Sequence, residues 1–583
     1  MINRVSYILD KKQKIKLFLL LIIIFVGAFV ELLGVATIMP LVTVALEPDT
    51  IQTKWYLALA WELFGFTEVS QMIVLLALCM MAIYILKNLY VTFMYNTQYR
   101  FIFNNQRRLA VRMMDAYMHQ NYLFHVSKNV AELQRNVTED VNGFYTVVLN
   151  SLQLLAETSV CVVLVLFLMK TDITTTLVVA ILIGIFTVLV GFVSKKVLVK
   201  KGQENRKLSI RLNKWVLQSF SGIKEIKVMN RENFFLKNYD DTYHKFTVIQ
   251  RQQSMLTFIS RPIMEAVCIC GLLAVVVFKI AVQDAEITSF IPTLSVFVVA
   301  ASRMLPSFNR ISGYIGMIMF DKPSVEVLYN DLVEIDELRK KQVDFSEDAA
   351  RITMKEGIRL EDVSFRYPEN EKWVLQNINM TIKPNSSIAL IGASGAGKTT
   401  LADVILGILE PQQGTIYVDA QDINKNMNAW HKSIGYIPQT IYLMDDTIRA
   451  NIAFGVPEDQ VDEAAMKKAL KEAKLDEFVD RLPEGLDTIV GDRGVKLSGG
   501  QRQRIGIARA LYQQPEILIL DEATSALDND TEKEVMEAID GLHGNRTLII
   551  IAHRLSTIKN CDIIYEVAGG SIIEKKHEEV FTQ

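Results

Sequence analysis

Six long apolar stretches in the first half of the chain constrain its fold more than any other feature of the sequence. Each is close to or longer than the ~20 residues that a helix needs to cross the hydrocarbon core of a bilayer. The stretches are Leu17–Leu46, Ser70–Asn96, Tyr145–Met169, Ile173–Val193, Leu256–Val282 and Thr288–Arg310. The first is too long for a signal peptide, and no small-residue cleavage site follows it. The sequence therefore predicts an all-α membrane domain with six spanning helices.

The segments between these stretches differ in charge and length. Those after the second and fourth stretches are long and basic, whereas the others are short and mostly acidic. The basic residues are Arg100, Arg107, Arg108 and Arg112 in the first long segment and Lys195, Lys196, Lys200, Lys201, Arg206 and Lys207 in the second. The positive-inside rule then predicts that both termini are cytoplasmic. Each long segment lacks Pro, and as a helical hairpin it would extend the membrane helices by roughly 30–40 Å.

The pattern changes after the sixth stretch. We interpret residues 1–325 as the membrane domain, 326–352 as a linker and 353–583 as a second domain. In that second domain short β-rich runs alternate with helical patterns, which is typical of an α/β fold with a mainly parallel sheet. The net charge of −3 argues against a nucleic-acid partner. The five cysteines show no spacing typical of a metal site or a disulfide framework.

A glycine-rich loop in the second domain follows the apolar strand Ile388–Ile391 and precedes a helical pattern. It matches the phosphate-binding pattern G-x-x-x-x-G-K-[ST] in the expected context of strand, loop and helix. The glycines allow backbone N–H groups to surround phosphates, and the helix N-terminus adds positive potential. We predict that Lys398 holds the β- and γ-phosphates and that Thr399 ligates Mg²⁺. The predicted ATP-binding residues of this loop are Gly392, Ala393, Ser394, Gly395, Ala396, Gly397, Lys398, Thr399 and Thr400.

Two adjacent carboxylates end a second apolar strand, Ile517–Asp521. Asp521 suits the Mg²⁺ shell, and Glu522 suits a base that orients or deprotonates the attacking water. The alternative interpretation is that Asp521 and Glu522 are two solvated acids at the end of a strand without a catalytic role. The phosphate-binding loop upstream disfavours that interpretation. A GTPase is disfavoured because the nearest Asn-Lys pair, Asn424-Lys425, is not followed by a guanine-reading aspartate.

Between these motifs lies Leu497-Ser498-Gly499-Gly500-Gln501, and here the sequence resembles the ABC transporter family. The resemblance covers the whole second domain and implies roles for further residues. Tyr367 matches the aromatic residue that stacks on adenine, Gln439 the loop that senses Mg²⁺, and His553 the histidine at the γ-phosphate. It also implies that one ATPase domain contacts ATP bound to another. The residues implied for that contact are Ser498, Gly499, Gly500, Gln501 and Asp528.

The resemblance therefore implies a dimer, because the chain carries one ATPase domain and each site needs two. A symmetric homodimer is the simplest form, although a second, different half-transporter stays open. Six membrane helices with long stalks, placed before the ATPase domain, resemble ABC exporters. The implied activity is ATP hydrolysis that drives movement of a substrate across the cell membrane.

Ionisable residues within the predicted spans bear on the substrate. Glu31, Glu157 and Glu265 are acidic, and Lys87, Arg261 and Arg303 are basic and lie toward the cytoplasmic leaflet. Each charge is costly if it faces lipid, so most are expected to face the interior. In one interpretation the basic residues snorkel or pair with the glutamates. In the other, Lys87, Arg261 and Arg303 form a cationic ring that receives an anionic headgroup such as a diphosphate.

The segment Gln52–Phe66 is predicted to form an amphipathic external helix with an aromatic anchor, or else a surface helix that only packs on other loops. Together with Glu31-Leu-Leu-Gly34, Ser221–Lys227 and Arg303–Ser307, these features resemble the PglK-type flippases. That resemblance implies a lipid-linked oligosaccharide, a polyprenyl diphosphate bearing sugars, as substrate. An exporter of drugs, peptides or other lipids is the first alternative. An ATP-dependent regulator of another membrane protein is the second, and the intact catalytic motifs disfavour it.

Overall fold

The computed structural model describes residues 1–583 except 172, 260–261, 264, 268, 272, 274–276, 278–286, 340–349, 369, 523–528, 553 and 582–583. The chain divides into two compact units. The first comprises Met1–Gln120 and Phe124–Arg339, and the second comprises Asn121–Leu123 and Lys340–Gln583. The predicted linker, 326–352, includes the end of a long helix and residues outside the description, so its bounds stay a prediction.

The first unit is helical wherever it is described. Its helices are α1 Ile2–Ile8, α2 Lys11–Ala36, α3 Ile38–Leu46, α4 Thr50–Thr53, α5 Trp55–Phe64, α6 Val69–Met118, α7 Tyr122–Ser127, α8 Val130–Arg135, a π-helical turn Asn136–Asp140, α9 Val141–Thr171, α10 Ile173–Ser221, α11 Ile223–Val228, α12 Glu232–Phe258 and α13 Ile287–Arg339. Three described helical segments are long and apolar enough to cross a membrane: Lys11–Gly34, Val69–Met118 and Val130–Lys170. The fourth and sixth predicted spans lie within α10 and α13, and about half of the fifth lies outside the described residues.

Two helices continue well past the predicted ends of their membrane spans, while the cytoplasmic location of these extensions stays a prediction. α6 runs from Val69 to Met118, past the predicted end of the second span at Asn96, and α10 runs on to Ser221 in the same way. The first span departs from the prediction because it is divided at Thr37. Pro40 lies in the first turn of α3, where its missing N–H and its ring are tolerated, whereas inside one long helix they would disrupt it.

The second unit contains two sheets within its described residues. The strands are β1 Ile358–Phe365, β2 Leu375–Ile382, β3 Ser387–Ile391, β4 Gln413–Val418, β5 Gln421–Asp422, β6 Ile434–Ile437, β7 Ile517–Asp521, β8 Thr547–Ile551, β9 Ile563–Ala568 and β10 Ser571–Lys575. The order β2-β1-β4-β5 forms an antiparallel sheet, and β10-β9-β3-β8-β7-β6 forms a sheet that is parallel except for β10. The predicted α/β fold with a mainly parallel sheet is confirmed.

The helices of the second unit are α14 Lys398–Leu406, α15 Met427–Ser433, α16 Ile448–Ile452, α17 Glu463–Glu472, α18 Asp476–Asp480, α19 Gly499–Tyr512, α20 Asn529–Asp540 and α21 His577–Phe581, with 3₁₀ turns at Ile423–Lys425, Glu458–Gln460, Gly485–Asp487, Asp492–Gly494 and Leu555–Ile558. The central strands β7 and β8 are buried along their whole length, which explains their unbroken apolar sequences. Because β3, β7 and β8 are parallel neighbours, their carboxyl ends meet at one edge of the sheet, where ligands bind in such folds.

Candidate active site

The loop between β3 and α14 has a backbone that only glycine allows at two positions. Gly392 has φ 142°, and a Cβ there would lie 2.3 Å from the carbonyl oxygen of Val567. Gly397 has φ 104° and precedes the first residue of α14. This left-handed geometry lets the chain turn back on itself, so that the N–H groups at the start of α14 converge on the loop. The arrangement is that of an anion-binding loop at a helix N-terminus.

Lys398 is the first residue of α14, and its side chain curls back over the loop. Its Nζ donates hydrogen bonds to the carbonyl oxygens of Gly392 at 2.8 Å and Ala393 at 3.0 Å. The side chain is 5% exposed, and burial lowers the pKa of its ammonium, while Glu522 and Asp521 act in the opposite direction. Thr399 is exposed at the same end of the helix, and Thr400 is buried. The loop therefore holds one cation and several backbone donors at one point.

Tyr367 lies beside this loop. Its hydroxyl is 3.3 Å from Oγ1 of Thr400, and its ring packs edge-on against Phe365 with the ring centroids 5.1 Å apart. The ring is half-buried, so one part of its surface is accessible. An accessible aromatic ring next to a phosphate-binding loop offers a surface on which a flat base can stack.

The carboxylates predicted from the second strand lie at the end of β7. Asp521 is 7% exposed and lies opposite Ile551 of β8 in the parallel register. Glu522 turns away from the strand with φ 48°, and its N–H bonds the carbonyl oxygen of Ile551 at 3.1 Å. Gln439, which follows β6, donates from Nε2 to Oε2 of Glu522 at 2.7 Å. The structure thus brings together two predicted site residues from different strands.

Asp403 is a half-buried acid at this site that sequence reasoning missed. It lies on α14, and burial raises its pKa to about 6, with the nearby charge of Asp521 acting in the same direction. Its position five residues after the loop lysine, on the helix that the sequence predicts there, was the signal available in the sequence.

The segment Ser498–Gln501 forms the start of α19. Oγ of Ser498 accepts from the N–H of Gln501 at 3.3 Å, and Oε1 of Gln501 accepts from the N–H of Ser498 at 2.9 Å. This reciprocal capping box satisfies two backbone donors and fixes the direction of the helix start. Ser498 is exposed, so the end of the helix is accessible to another molecule.

Some predicted residues fall outside the part of the chain that the structure describes. These are Asp528, His553 and Arg261, together with the side chain of Arg303. Among the described residues there is no cluster of three or more His, Cys, Asp or Glu side chains of the kind that holds a metal ion.

Two ion pairs join ionisable residues of the described membrane helices, whereas Glu265 is exposed. Lys87 Nζ lies 3.2 Å from Glu31 Oε2, with both side chains about nine-tenths buried, and 4.7 Å from the ring centroid of Tyr84. Glu157 pairs in the same way with Arg310, whose Nε lies 3.1 Å from Oε1 of the glutamate. The interpretation in which basic residues pair with the glutamates is therefore confirmed for Lys87. Arg310 was not singled out from the sequence because it lies at the end of a predicted span.

The fold and the site define a P-loop ATPase that is covalently joined to a helical membrane unit. Family models agree with both parts. The model described as "ABC transporter transmembrane region" matches residues 15–302, and the model described as "ABC transporter" matches residues 375–525.

Individual relatives extend this result. A protein of Cupriavidus metallidurans named "ATP-dependent lipid A-core flippase" is 31% identical over 481 residues, which cover 81% of this chain and 79% of the relative. The multidrug transporter mdr1 of Aspergillus fumigatus is 44% identical over 240 residues, but these cover 40% of this chain and 18% of the relative. A bacterial Atm1-family ABC exporter solved with ATP bound has the same fold, with a TM-score of 0.73 at 23% identity, over 96% of this chain and 95% of the exporter.

The chain belongs to the ABC transporter family, as an exporter-type half-transporter. Its ATPase domain binds ATP and couples ATP hydrolysis to movement of a substrate across a membrane.

Proposed function

We propose that the chain acts as a homodimeric flippase for a lipid-linked oligosaccharide, an isoprenoid lipid that carries sugars on a diphosphate. The observation that carries this proposal is the apolar outward face of α5, the external helix Trp55–Phe64. An exporter of drugs, peptides or other lipids would use the same ATPase, and it is the alternative that the experiment below must exclude.

The external helix has apolar residues on both of its faces. Leu57 is buried in a cluster with Val44, Ile51 and Met72. The other face carries large apolar side chains that are mostly exposed: Trp55 is 77% exposed, Leu59 55% and Leu63 72%. Their spacing of four residues places them along one side of the helix. A soluble surface helix rarely exposes such a stripe, whereas a helix that lies in the lipid interface uses one to contact acyl or isoprenoid chains.

The headgroup would contact basic residues inside the membrane unit, for which Lys87, Arg261 and Arg303 are our candidates. Lys87 is held by Glu31, so a diphosphate would have to compete with that carboxylate for the ammonium. Arginine is better suited to grip a phosphate because its planar guanidinium donates two parallel hydrogen bonds. We therefore assign the main headgroup contacts to Arg261 and Arg303 and a secondary one to Lys87.

The relatives support a lipid substrate over a drug or a peptide. The name of the relative that covers four fifths of this chain is that of a lipid A-core flippase. The multidrug transporter matches a much smaller share of the chain. The resemblance of several membrane-domain stretches to PglK-type flippases supports a lipid-linked oligosaccharide as that lipid.

In the ATPase site, Tyr367 would stack on adenine, and residues 392–400 would surround the phosphates, with the Lys398 ammonium on the β- and γ-phosphates. Glu522 would accept a proton from the attacking water or orient it, and the hydrogen bond from Gln439 would hold the carboxylate in place. His553 would contact the γ-phosphate. The roles of Lys398 and Glu522 follow from the chemistry of their side chains and their positions at the phosphate loop and after β7, and those of Tyr367, Gln439 and His553 are the roles that the resemblance to the ABC transporter family implies.

The residues available for a magnesium ion fit that metal. Thr399 is exposed at the phosphate loop, Asp521 ends β7, and Gln439 uses its Nε2 for Glu522, so that Oε1 remains as an acceptor. All three offer oxygen, which Mg²⁺ prefers, and two or fewer carboxylates are usual when phosphates supply other ligands. When bound, the ion would neutralise charge on the transferred phosphoryl group.

A second copy would complete each site. The exposed start of α19 presents the N–H groups of Gly499 and Gly500 at a helix N-terminus, which suits a γ-phosphate bound to another chain. With one ATPase domain per chain, a symmetric dimer would form two equivalent sites from Ser498, Gln501 and Asp528 of one copy and the phosphate loop of the other. We place the protein in the cell (inner) membrane, with both termini cytoplasmic, because of the charge distribution in its loops.

The test uses the purified full chain in liposomes that contain a fluorescent lipid-linked oligosaccharide, with movement between leaflets followed after ATP is added. Wild type should move the lipid and Glu522→Gln should not. Arg303→Ala and Arg261→Ala should impair movement while keeping basal ATP hydrolysis. Hydrolysis without movement of this lipid would retain the ATPase and overturn the proposed substrate.

A further inference from the structure

A groove of about 520 Å³ lies between α2 and α6 in the first unit. Four cationic side chains line it: Lys16 from α2 and Arg100, Arg107 and Arg108 from α6. Its floor is apolar, with Leu20 and Phe101 buried beneath the cations. A groove with a cationic rim and an apolar floor matches a ligand that carries both a phosphate and a hydrocarbon chain.

The four cations have no carboxylate within ion-pair distance among the described residues. The contrast with Arg112, on the same helix, is informative because its Nη2 lies 3.9 Å from Oδ2 of Asp336 and its Nη1 bonds the carbonyl oxygen of Ile8. Like charges that crowd one groove repel one another, so an anion that binds between them relieves that repulsion. Arginine in particular presents donors that fit phosphate oxygens.

The groove lies where the predicted membrane spans meet water. The first predicted span begins at Leu17, directly after Lys16, and the second ends at Asn96, shortly before Arg100. Along α6, the rings of Tyr95, Tyr99 and Phe103 stack in series with centroids 6.3 and 6.4 Å apart, and the last two are exposed. Exposed aromatic residues of this kind mark the headgroup level of a bilayer. Leu19, which also lines the groove, is exposed on the side of the span.

The two helices are fixed on both sides of the groove. Gln13 Nε2 donates to Asn105 Oδ1 at 3.0 Å, both residues are buried, and Asn105 Nδ2 in turn bonds the carbonyl oxygen of Phe101 at 2.7 Å. Toward the membrane, Tyr90 donates to the carbonyl oxygen of Ile23 at 2.8 Å. The groove is therefore formed before any ligand binds, which lowers the entropic cost of binding.

We propose that this groove is a binding site for an anionic phospholipid of the surrounding bilayer. The phosphate contacts Arg100, Arg107, Arg108 and Lys16, and the start of the acyl chain lies against Leu19 and Leu20. The site is separate from the candidate substrate residues Lys87, Arg261 and Arg303, so it does not depend on the proposed flippase substrate. The proposed cytoplasmic location of both termini affects this site in one respect: it determines which leaflet of the bilayer supplies the lipid.

The experiment uses the full-length protein purified in a mild detergent and titrated with phosphatidylglycerol, and native mass spectrometry counts the lipids bound per chain. The groove variant is Arg100→Gln/Arg107→Gln/Arg108→Gln. The matched control is Lys11→Gln/Lys12→Gln/Lys14→Gln, which removes three positive charges from exposed positions of α2 that do not line the groove. Basal ATP hydrolysis and the thermal unfolding midpoint of both variants confirm that they fold.

The groove variant should bind phosphatidylglycerol about tenfold or more weakly, and the control variant should change by less than about threefold. Phosphatidylcholine should bind more weakly than phosphatidylglycerol to wild type, and soluble glycerol phosphate should not displace the lipid. Equal losses of phosphatidylglycerol affinity in the two variants would overturn the proposal, because they would indicate diffuse electrostatic attraction between the lipid and the positive charges of the chain. Displacement by glycerol phosphate would also overturn it, in favour of a site for soluble phosphates. If the chain does not flip lipid-linked oligosaccharide but binds phosphatidylglycerol in this way, only the proposed function is overturned.

Discussion

Gln439 donates a hydrogen bond from Nε2 to Oε2 of Glu522 across 2.7 Å, although the two residues lie 83 positions apart in the chain. Gln439 follows β6 and Glu522 follows β7, and these strands are parallel neighbours. The bond fixes the carboxylate that we propose as the base, and it makes the position of that base depend on the loop that carries Gln439. A change in this loop is therefore expected to alter catalysis even when the residues of the phosphate loop are intact.

We predict that Glu522→Gln lowers kcat for ATP hydrolysis by about 100-fold or more, since it removes the group that accepts or directs the proton, while ATP binding persists. Gln439→Ala should lower kcat less, by about tenfold, because the carboxylate remains but loses one positioning bond. Steady-state hydrolysis and equilibrium binding of ATP measure the two effects. Glu537→Gln, at a half-exposed surface ion pair with Lys474, is the control and should hydrolyse ATP normally. A fully active Glu522→Gln chain would exclude this base.

Two glycines of the phosphate loop should respond differently to the same substitution. Gly392→Ala places a Cβ 2.3 Å from the carbonyl oxygen of Val567, a backbone atom that cannot turn aside. Gly395, with φ 79°, has no atom within 4 Å of an added Cβ. We expect Gly392→Ala to lower the free energy of unfolding by about 2–3 kcal/mol and Gly395→Ala by about 1 kcal/mol, the latter from backbone strain alone. Thermal unfolding of both full-length variants in detergent tests this order, and equal losses would contradict it.

The phosphate loop and its flanking strand and helix could be predicted from the sequence because their chemistry is local. Glycine at positive φ, the lysine after it and the apolar strand before it are all read within about a dozen residues. The same holds for the capping box at Ser498, whose partner is three residues away. Long stalk helices were also predictable because α6 and α10 continue their helical pattern without Pro.

What the sequence could not supply are contacts between distant segments. Lys87 and Glu31 are 56 residues apart, and either could have faced lipid, substrate or another helix. The half-buried position of Asp403 depends on how α14 packs against the sheet. The division of the first span at Thr37 depends on whether Pro40 ends a helix or begins one. In each case the outcome is decided by packing, which a local pattern does not encode.

Asp403 gives the folded ATPase domain a pH dependence. Burial raises the pKa of its carboxyl group from the ordinary value of 3.8 to about 6. Between these two pKa values the folded chain binds more protons than the unfolded chain. The free energy of unfolding therefore falls as the pH rises through this range, and above it the full destabilisation by the ionised carboxylate is present. Asp403→Asn removes the charge and should stabilise the protein at about pH 7.5 by about 1 kcal/mol, after allowance for partial exposure.

The measurement is the thermal unfolding midpoint of the full chain in detergent with a chelator present, so that no divalent cation contributes. The gain from Asp403→Asn should be largely lost at about pH 3, where the carboxyl group of Asp403 is mostly protonated in both the folded and the unfolded chain. The same gain at every pH would show that the effect comes from packing and not from the charge.

Two adjacent acids of the first unit should differ in their contribution to stability. Asp140 is fully buried and bonds Arg206 Nε at 3.1 Å and Ser324 Oγ at 2.7 Å, and its side chain also lies 3.5 Å from Arg135 Nη2. Glu139 shares Arg135 as a partner but is about half exposed. Asp140→Asn removes the one fully buried carboxylate that Arg135 and Arg206 share, and their remaining carboxylates, Glu139 and Glu132, are more exposed, so it should lower the free energy of unfolding by about 3 kcal/mol. Glu139→Gln should cost less than about 1 kcal/mol, because water screens that pair. Unfolding in denaturant compares the two, and a larger loss for Glu139→Gln would contradict the burial argument.

The Lys87–Glu31 pair decides whether Lys87 acts on substrate or only balances a buried acid. Suppose first that the sole role of Lys87 is to neutralise Glu31. Lys87→Met should then destabilise the membrane unit, because it leaves the Glu31 carboxylate without its ion-pair partner. Adding Glu31→Gln to the same chain should restore both the stability and the transport activity. If Lys87 also contacts the diphosphate, the double variant should regain stability but keep a KM for lipid-linked oligosaccharide raised by about tenfold, since one cation is missing from the headgroup site. Thermal unfolding and liposome transport of the two single variants and the double variant separate these outcomes. Our proposal expects the second result, with kcat for ATP hydrolysis unchanged, and full recovery of transport in the double variant would remove Lys87 from the substrate site.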